Sequence, residues 1–97
     1  MAARISVSVR YHNILRRQAG VLSETVSLAP CTTLRQALEE VATRHGPQLR
    51  DMLFSPEGDI ASHLVVFCDG RLVHEDRAGF RLEDGYELML FPATSGG

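Results

Sequence analysis

An α+β fold, with one main helix laid across one face of a small sheet, is what the 97-residue sequence predicts. Three observations carry this. Two early segments alternate apolar and polar residues, a single strongly amphipathic helix follows them, and further apolar strand segments follow the helix. One helix covers only one face of a sheet, so the other face is left open.

Ile5-Ser6-Val7-Ser8-Val9 alternates with period two and turns Ile5, Val7 and Val9 to a core. Arg10 to Gln18 reads as a polar connection, with Gly20 as a turn residue. Thr25-Val26-Ser27-Leu28 alternates again and stops before Pro30, which suggests an antiparallel hairpin with the first strand. In the helix, Leu34, Ala37, Leu38, Val41 and Ala42 share one stripe, and Arg35, Gln36, Glu39, Glu40, Thr43 and Arg44 lie outside it. Thr33 with Gln36 has capping-box spacing, Thr32 is the alternative cap, and Gly46-Pro47 ends the helix.

Leu49 to Phe54 reads as a short second helix or an edge segment, and Ser55 to Asp59 as a turn. Leu64-Val65-Val66-Phe67-Cys68 is a strand that is apolar on both faces and is closed by Asp69-Gly70. Arg71-Leu72-Val73 is a short strand, Glu83-Asp84-Gly85 a turn, and Tyr86 to Phe91 the last strand. That strand returns across the sheet. Parallel pairing with the first strand would complete a β-grasp layout, although periodicity alone does not fix the topology.

Composition narrows the function. A length of 97 residues suits one domain, and a net charge of -2 argues against nucleic acid. No apolar run reaches membrane-spanning length and the N-terminus lacks a signal-peptide core, so the expected location is cytoplasmic. All 10 basic side chains are arginine; without lysine the chain cannot link to itself through lysine isopeptides. Cys31 and Cys68 fit no metal or redox spacing. Cys68 reads as a core residue, and Cys31 as a loop residue rather than a reactive thiol. His12, His45, His63 and His74 have no metal-ligand spacing and read as scattered, solvated side chains, so no metal site is expected.

Three segments carry a resemblance. Val7-Ser8-Val9-Arg10-Tyr11 leads into Leu15-Arg16-Arg17-Gln18-Ala19-Gly20. Asp84-Gly85-Tyr86-Glu87-Leu88-Met89-Leu90-Phe91-Pro92 precedes the terminal Gly96-Gly97, and the helix after Thr33 stands in register between them. From about Val7 to Gly97 the chain resembles the ThiS/MoaD family of ubiquitin-like sulfur carriers, as a longer, MoaD-like member. It departs from the family pattern at Ala93, in place of a second proline, and at Thr94-Ser95, in place of Val-Ala; Phe54 to Ala61 looks like an added hairpin.

The resemblance implies a β-grasp (ubiquitin-like) mixed sheet over residues 1–91 and a flexible tail over 92–97. It implies a protein co-substrate, not an enzyme. The Gly97 carboxylate would be adenylated by an E1-like adenylyltransferase of MoeB/ThiF type. A sulfurtransferase or persulfide donor would then convert it to a thiocarboxylate. Such a carrier binds no cofactor itself, and ATP is used by the activating enzyme. The acceptor would be a synthase, first a molybdopterin synthase large subunit, with cysteine, thiamine or tRNA thiolation as alternatives. A lysine-conjugated modifier and a β-grasp interaction module with an inert tail are the competing readings.

Six residues after Phe91 extend at most ~20 Å at roughly 3.3–3.6 Å each, enough to enter another protein's active site. Gly96 and Gly97, lacking Cβ atoms, suit a narrow channel. The expected docking face is the sheet surface opposite the helix. By alternation, Leu64, Val66, Cys68, Leu88 and Leu90 point inward, and Val65, Phe67, Glu87, Met89 and Phe91 point to solvent. Val65, Phe67, Met89 and Phe91, with Pro92 where the tail begins, are the expected partner-binding residues. Glu83, Asp84 and Glu87 read as a solvated acidic turn, with arginines of an activating enzyme as their other possible role.

Overall fold

The structure is a computed structural model and describes residues 4–92. Gly96 and Gly97 therefore lie outside the described residues. The elements run β1 (Ile5–Tyr11), α1 (Ile14–Ala19), β2 (Ser23–Leu28), α2 (Leu34–His45), α3 (Pro47–Leu53), β3 (Leu64–Cys68), β4 (Arg71–Val73) and β5 (Glu87–Pro92). The five strands form one sheet in the order β2-β1-β5-β3-β4. β1 and β2 are antiparallel, β1 and β5 parallel, and β3 antiparallel to both β5 and β4. This mixed sheet is the β-grasp layout, with the chain's first and last strands side by side at its centre.

α2 forms for the reasons its sequence gives. Gln36 N donates to Thr33 Oγ1 at 3.3 Å and Thr33 N donates to Gln36 Oε1 at 3.0 Å, so both halves of the capping box are made. Leu34, Ala37, Leu38, Val41 and Ala42 are all buried, on the stripe the spacing picks out. They pack on Val7, Val9, Val26, Val66, Leu88 and Leu90, the inward positions of the strands. The β3–β4 turn needs two residues with positive φ, and Asp69 (51°) and Gly70 (84°) supply them.

The structure corrects two local expectations and decides between the alternatives of a third. Arg10 to Gln18 is not a polar connection: β1 continues through Tyr11 and α1 follows it. The reason is tertiary, because Tyr11, Leu15 and Ala19 are buried and hold this stretch against the core. Leu49 to Phe54 is helical up to Leu53, with Pro47 in the first turn where its missing N–H costs nothing. β5 runs through Pro92, which pairs with Leu64.

The 54–61 segment closes on itself through an isolated Phe54–Ile60 bridge. Phe54 lies between Arg35 of α2 and Arg50 of α3, with guanidinium carbons 5.6 and 5.1 Å from its ring centre. The added segment therefore packs on the helix side and leaves the opposite sheet face uncovered. Among the described residues no helix is long and apolar enough to cross a membrane.

Candidate functional site

The open face is built by alternation and register. β1 presents Ser8 and Arg10, β5 presents Glu87, Met89 and Phe91, and β3 presents Val65 and Phe67. Register sets these side chains beside one another: Arg10 with Met89, Met89 with Phe67, Phe67 with Leu72 on β4, and Phe91 with Val65. Just past β1, His12 N donates to Leu90 O at 3.1 Å, which keeps the His12 side chain over the end of β5.

Val65, Phe67, Met89 and Phe91 are thus brought together as expected, but they are half-buried rather than exposed. Aromatic packing explains the difference. The His12 ring lies flat on Phe91 with centroids 4.1 Å apart and an 8° interplanar angle. Phe67 meets Phe91 edge-on at 5.7 Å and 81°. Each ring shields its neighbour, as offset-stacked and edge-to-face pairs do. Pro92 is also half-buried, at the point where β5 ends.

The sequence reading omitted three members of this face. Leu72 is 50% exposed, and the two-residue Asp69-Gly70 turn, which forces it opposite Phe67, was the available signal. Arg10 and His12 were assigned to a connection. Extending the period-two pattern of β1 by three residues would have placed both on the outer face.

The acidic group is not near the tail. Glu83, Asp84 and Glu87 precede or open β5, whereas the tail leaves its far end, about 16 Å away for five residues at ~3.3 Å each. All three are exposed, as expected of a solvated acidic turn, and of their carboxylates only that of Asp84 bonds locally among the described residues. Asp84 Oδ1 accepts Ser6 N at 2.7 Å, and Asp69 Oδ1 accepts Glu87 N at 2.8 Å.

The histidines are not uniformly solvated either. Besides His12 on Phe91, His45 Nε2 meets Glu24 Oε2 at 2.5 Å with the histidine side chain only 14% exposed. Tyr11 Oη also donates to Glu24 Oε2, at 2.5 Å, and Arg44 Nη1 donates to Oε1 at 3.2 Å. Burial works to raise the Glu24 pKa, but the bonds from Tyr11, His45 and Arg44 outweigh it and hold the carboxyl below its ordinary value. Burial first, then the Glu24 bond and charge, push the Tyr11 phenol well up.

Cys68 is buried and Cys31 exposed. Burial, aided by the Asp69 charge, pushes the Cys68 thiol up to about 11, which fits an inert core residue. Among the described residues no group of three or more histidine, cysteine or acidic side chains is placed to hold a metal.

Among the described residues, no hydroxyl or thiol of the open face is hydrogen-bonded to a histidine or carboxylate side chain. The arrangement offers a half-buried aromatic face that runs along the strand leading to the C-terminus.

The chain is similar in fold to several solved structures. SAMP1 of Haloferax volcanii matches at 28% identity with a TM-score of 0.83, over 95% of this chain and 99% of that one. A putative molybdopterin converting factor subunit 1 of Pyrococcus furiosus matches at 26% identity and a TM-score of 0.73, over 91% of this chain and 97% of that one. The Amycolatopsis orientalis BexX/CysO complex contains a chain matching at 22% identity and a TM-score of 0.72, over 94% and 99%, a likeness of fold. No protein of curated function matches the chain. The ThiS family model matches residues 9–97, which takes in α2, the whole aromatic face except the start of β1, and the terminal Gly-Gly. A β-grasp sheet with its last strand central, an open aromatic face beside that strand, and this match through the final residue together establish that the chain belongs to the ThiS family of ubiquitin-like sulfur carriers.

Proposed function

We propose that this protein carries sulfur on the carboxyl carbon of Gly97, with residues 93–97 as the working tail and the Val65, Phe67, Met89, Phe91 and Pro92 face as its docking surface. The match of the family model through Gly97 is the observation that carries the reading. An E1-like adenylyltransferase of MoeB/ThiF type binds the face and takes up the tail. The Gly97 carboxylate attacks the α-phosphorus of ATP; pyrophosphate leaves and an acyl-adenylate forms. A persulfide sulfur from a sulfurtransferase attacks the carbonyl and AMP leaves, giving an acyl disulfide. A second thiol reduces that disulfide and frees the thiocarboxylate. The carrier contributes no catalytic side chain; it supplies the carboxylate and the surface that positions it.

Molybdopterin synthase is the first acceptor to test, supported by the likeness to the putative converting factor subunit. A protein-modifier role is the second reading, supported by the likeness to a protein named as a small archaeal modifier. Both readings begin with the acyl-adenylate and differ in whether sulfur or a lysine amine receives the carbonyl.

Deleting Gly96-Gly97 is expected to leave the fold intact and abolish ATP–pyrophosphate exchange by the activating enzyme. Undiminished exchange would defeat both readings. Protein isolated from its host is expected to migrate slowly in mercury-containing gels, the mark of a thiocarboxylate. A ladder of reductant-resistant adducts that depends on Gly97, without that species, would favour the modifier.

A further inference from the structure

β4 leaves one edge of the sheet open. It stands last in the strand order and is entered by the two-residue Asp69-Gly70 turn. A turn of that length makes Cys68 and Arg71 a hydrogen-bonded pair, so by alternation Phe67 and Leu72 form a non-hydrogen-bonded one. Leu72 therefore directs its N–H and C=O away from β3. Among the described residues neither group bonds another backbone group. Edge strands are usually blunted by charge or covered, whereas the Leu72 side chain is 50% exposed, more than any other large apolar residue described.

A groove of about 620 Å3 runs along this edge, between β4 and the loop that returns to β5. It is lined by buried Cys68 and Val73 and by the half-buried rings of Phe80 and Tyr86. Its volume lies in the range that receives bulky apolar groups.

The surroundings are acidic. Residues 69–87 hold six acids against three arginines, a net charge of -3, while the whole chain carries -2. Of those arginines, Arg77 spends its guanidinium on the Ala61 and Leu64 carbonyls. Arg71 and His74 line the groove, but so do Asp69 and Glu75, and Tyr86 N donates to Glu83 O at 3.2 Å, which keeps Glu83 close by. Burial first, then the charges of Glu83 and Asp69, push the Tyr86 phenol up against the opposing pull of Arg71. Glu75, Glu83 and Glu87 are exposed and form no ion pair among the described residues. A second copy of the chain would set one acidic rim against another, so the complement is a basic partner.

We infer that β4 receives an extended, basic segment of another protein as a sixth strand of the sheet. The segment's backbone pairs with the free N–H and C=O of Leu72. One bulky apolar side chain enters the groove against Phe80 and Tyr86, and its neighbours in sequence, pointing the other way, lie beside Leu72. Arginines or lysines flanking that anchor meet Asp69, Glu75, Glu83 and Glu87. A three-residue edge offers few main-chain bonds, so the anchor and the charges supply most of the affinity. The surface is independent of the Gly97 chemistry and does not rest on the carrier reading.

The probe is the synthetic peptide acetyl-Arg-Arg-Val-Leu-Val-Arg-Arg-amide, titrated into the full chain. Backbone amide shifts locate the binding, and calorimetry at low and high salt measures it. One control peptide carries N-methyl groups on the valine and leucine amides, which keeps its charge and side chains but prevents strand pairing. A second has glutamates in place of its arginines. The parent peptide is expected to shift the amides of Leu72, His74 and Tyr86 and to saturate, with weaker binding at high salt. N-methylation is expected to weaken binding about 10-fold or more, and the glutamate peptide is expected not to bind. Glu75→Arg, an exposed substitution, is expected to weaken the parent peptide's binding about 10-fold and reduce its salt dependence, with the thermal midpoint unchanged. Equal binding of the N-methylated peptide overturns the inference, because charge alone would then explain the attraction. So does binding of the glutamate peptide, a shift pattern centred on the open face or on α1, or Glu75→Arg binding within twofold of wild type. Failure of the parent peptide to saturate at millimolar concentration overturns it as well, and each of these results leaves the carrier reading standing.

Discussion

Replacing Glu24 with alanine is expected to cost about 3–4 kcal/mol of stability, by a route that begins with one inward-facing acid on an edge strand. Glu24 sits opposite Val9 in the β1–β2 register, and its side chain is 15% exposed. Its carboxylate gathers Tyr11 Oη and His45 Nε2, both at 2.5 Å, and Arg44 Nη1 at 3.2 Å. A hydrogen bond to a charged group in such a setting contributes ~1.5–3 kcal/mol, so the two short bonds together supply about 3 kcal/mol. Arg44 is 39% exposed and adds no more than ~0.5 kcal/mol. In a domain of this size each kcal/mol moves the thermal midpoint by roughly 4–8 °C, so the alanine variant should melt about 15–25 °C lower. Glu24→Gln keeps an acceptor but no charge and should lose about half as much.

The pH dependence has a definite sign. The folded pKa of Glu24 is depressed, so its contribution is fully present above the unfolded carboxyl value of ~4.3 and is lost as pH falls through the folded value. The gap between wild type and Glu24→Gln should therefore close on acidification. Tyr11, with its pKa raised, contributes stability below ~10 that is lost as pH rises beyond it. Urea unfolding at a series of pH values measures all of this. A Glu24→Ala loss under 1 kcal/mol at pH 7, or a gap that persists unchanged well below pH 4, would refute the assignment of charge-assisted bonding to this site.

Two further outcomes are expected. Phe67→Asp and Met89→Asp should weaken binding of the activating enzyme at least tenfold, yet cost the free protein only ~1–2 kcal/mol, because both sites are half-buried; Val66→Asp, at a fully buried neighbour, should not fold. Thermal melts with parallel binding titrations check this, and unfolding of the first two would show the faces reversed. Ellman's reagent at pH 8 should titrate Cys31 promptly and Cys68 only as the protein unfolds, since burial holds the Cys68 thiol near 11; prompt release from both thiols would contradict that burial.

The elements that proved legible in the sequence are those whose cause is local. α2 was readable to its cap because the 3.6-residue stripe, the Thr33–Gln36 pair and the Gly46-Pro47 stop all lie within 15 residues. The inward and outward sets of β3 and β5 were readable because a strand's faces alternate strictly. The Gly-Gly terminus, with the segments that precede it, was enough to indicate the family.

What escaped the sequence depends on distant contacts. The polar look of Arg10 to Gln18 hid a strand end and a helix, since Tyr11, Leu15 and Ala19 become core only when β5, α3 and the end of α2 close over them. The four histidines looked equivalent, yet one stacks on Phe91 and another bonds a carboxylate 21 residues away. The acids at 83–87 are near the tail in sequence and at the opposite end of a strand in space. The sequence by itself determined which residues pair within a turn of helix or across a pleat. The tertiary structure alone decided that β1 lies parallel beside β5, and with that which side chains meet on the open face. Parallel pairing joins segments more than seventy residues apart, and nothing in a period of two or 3.6 residues encodes a contact at that range.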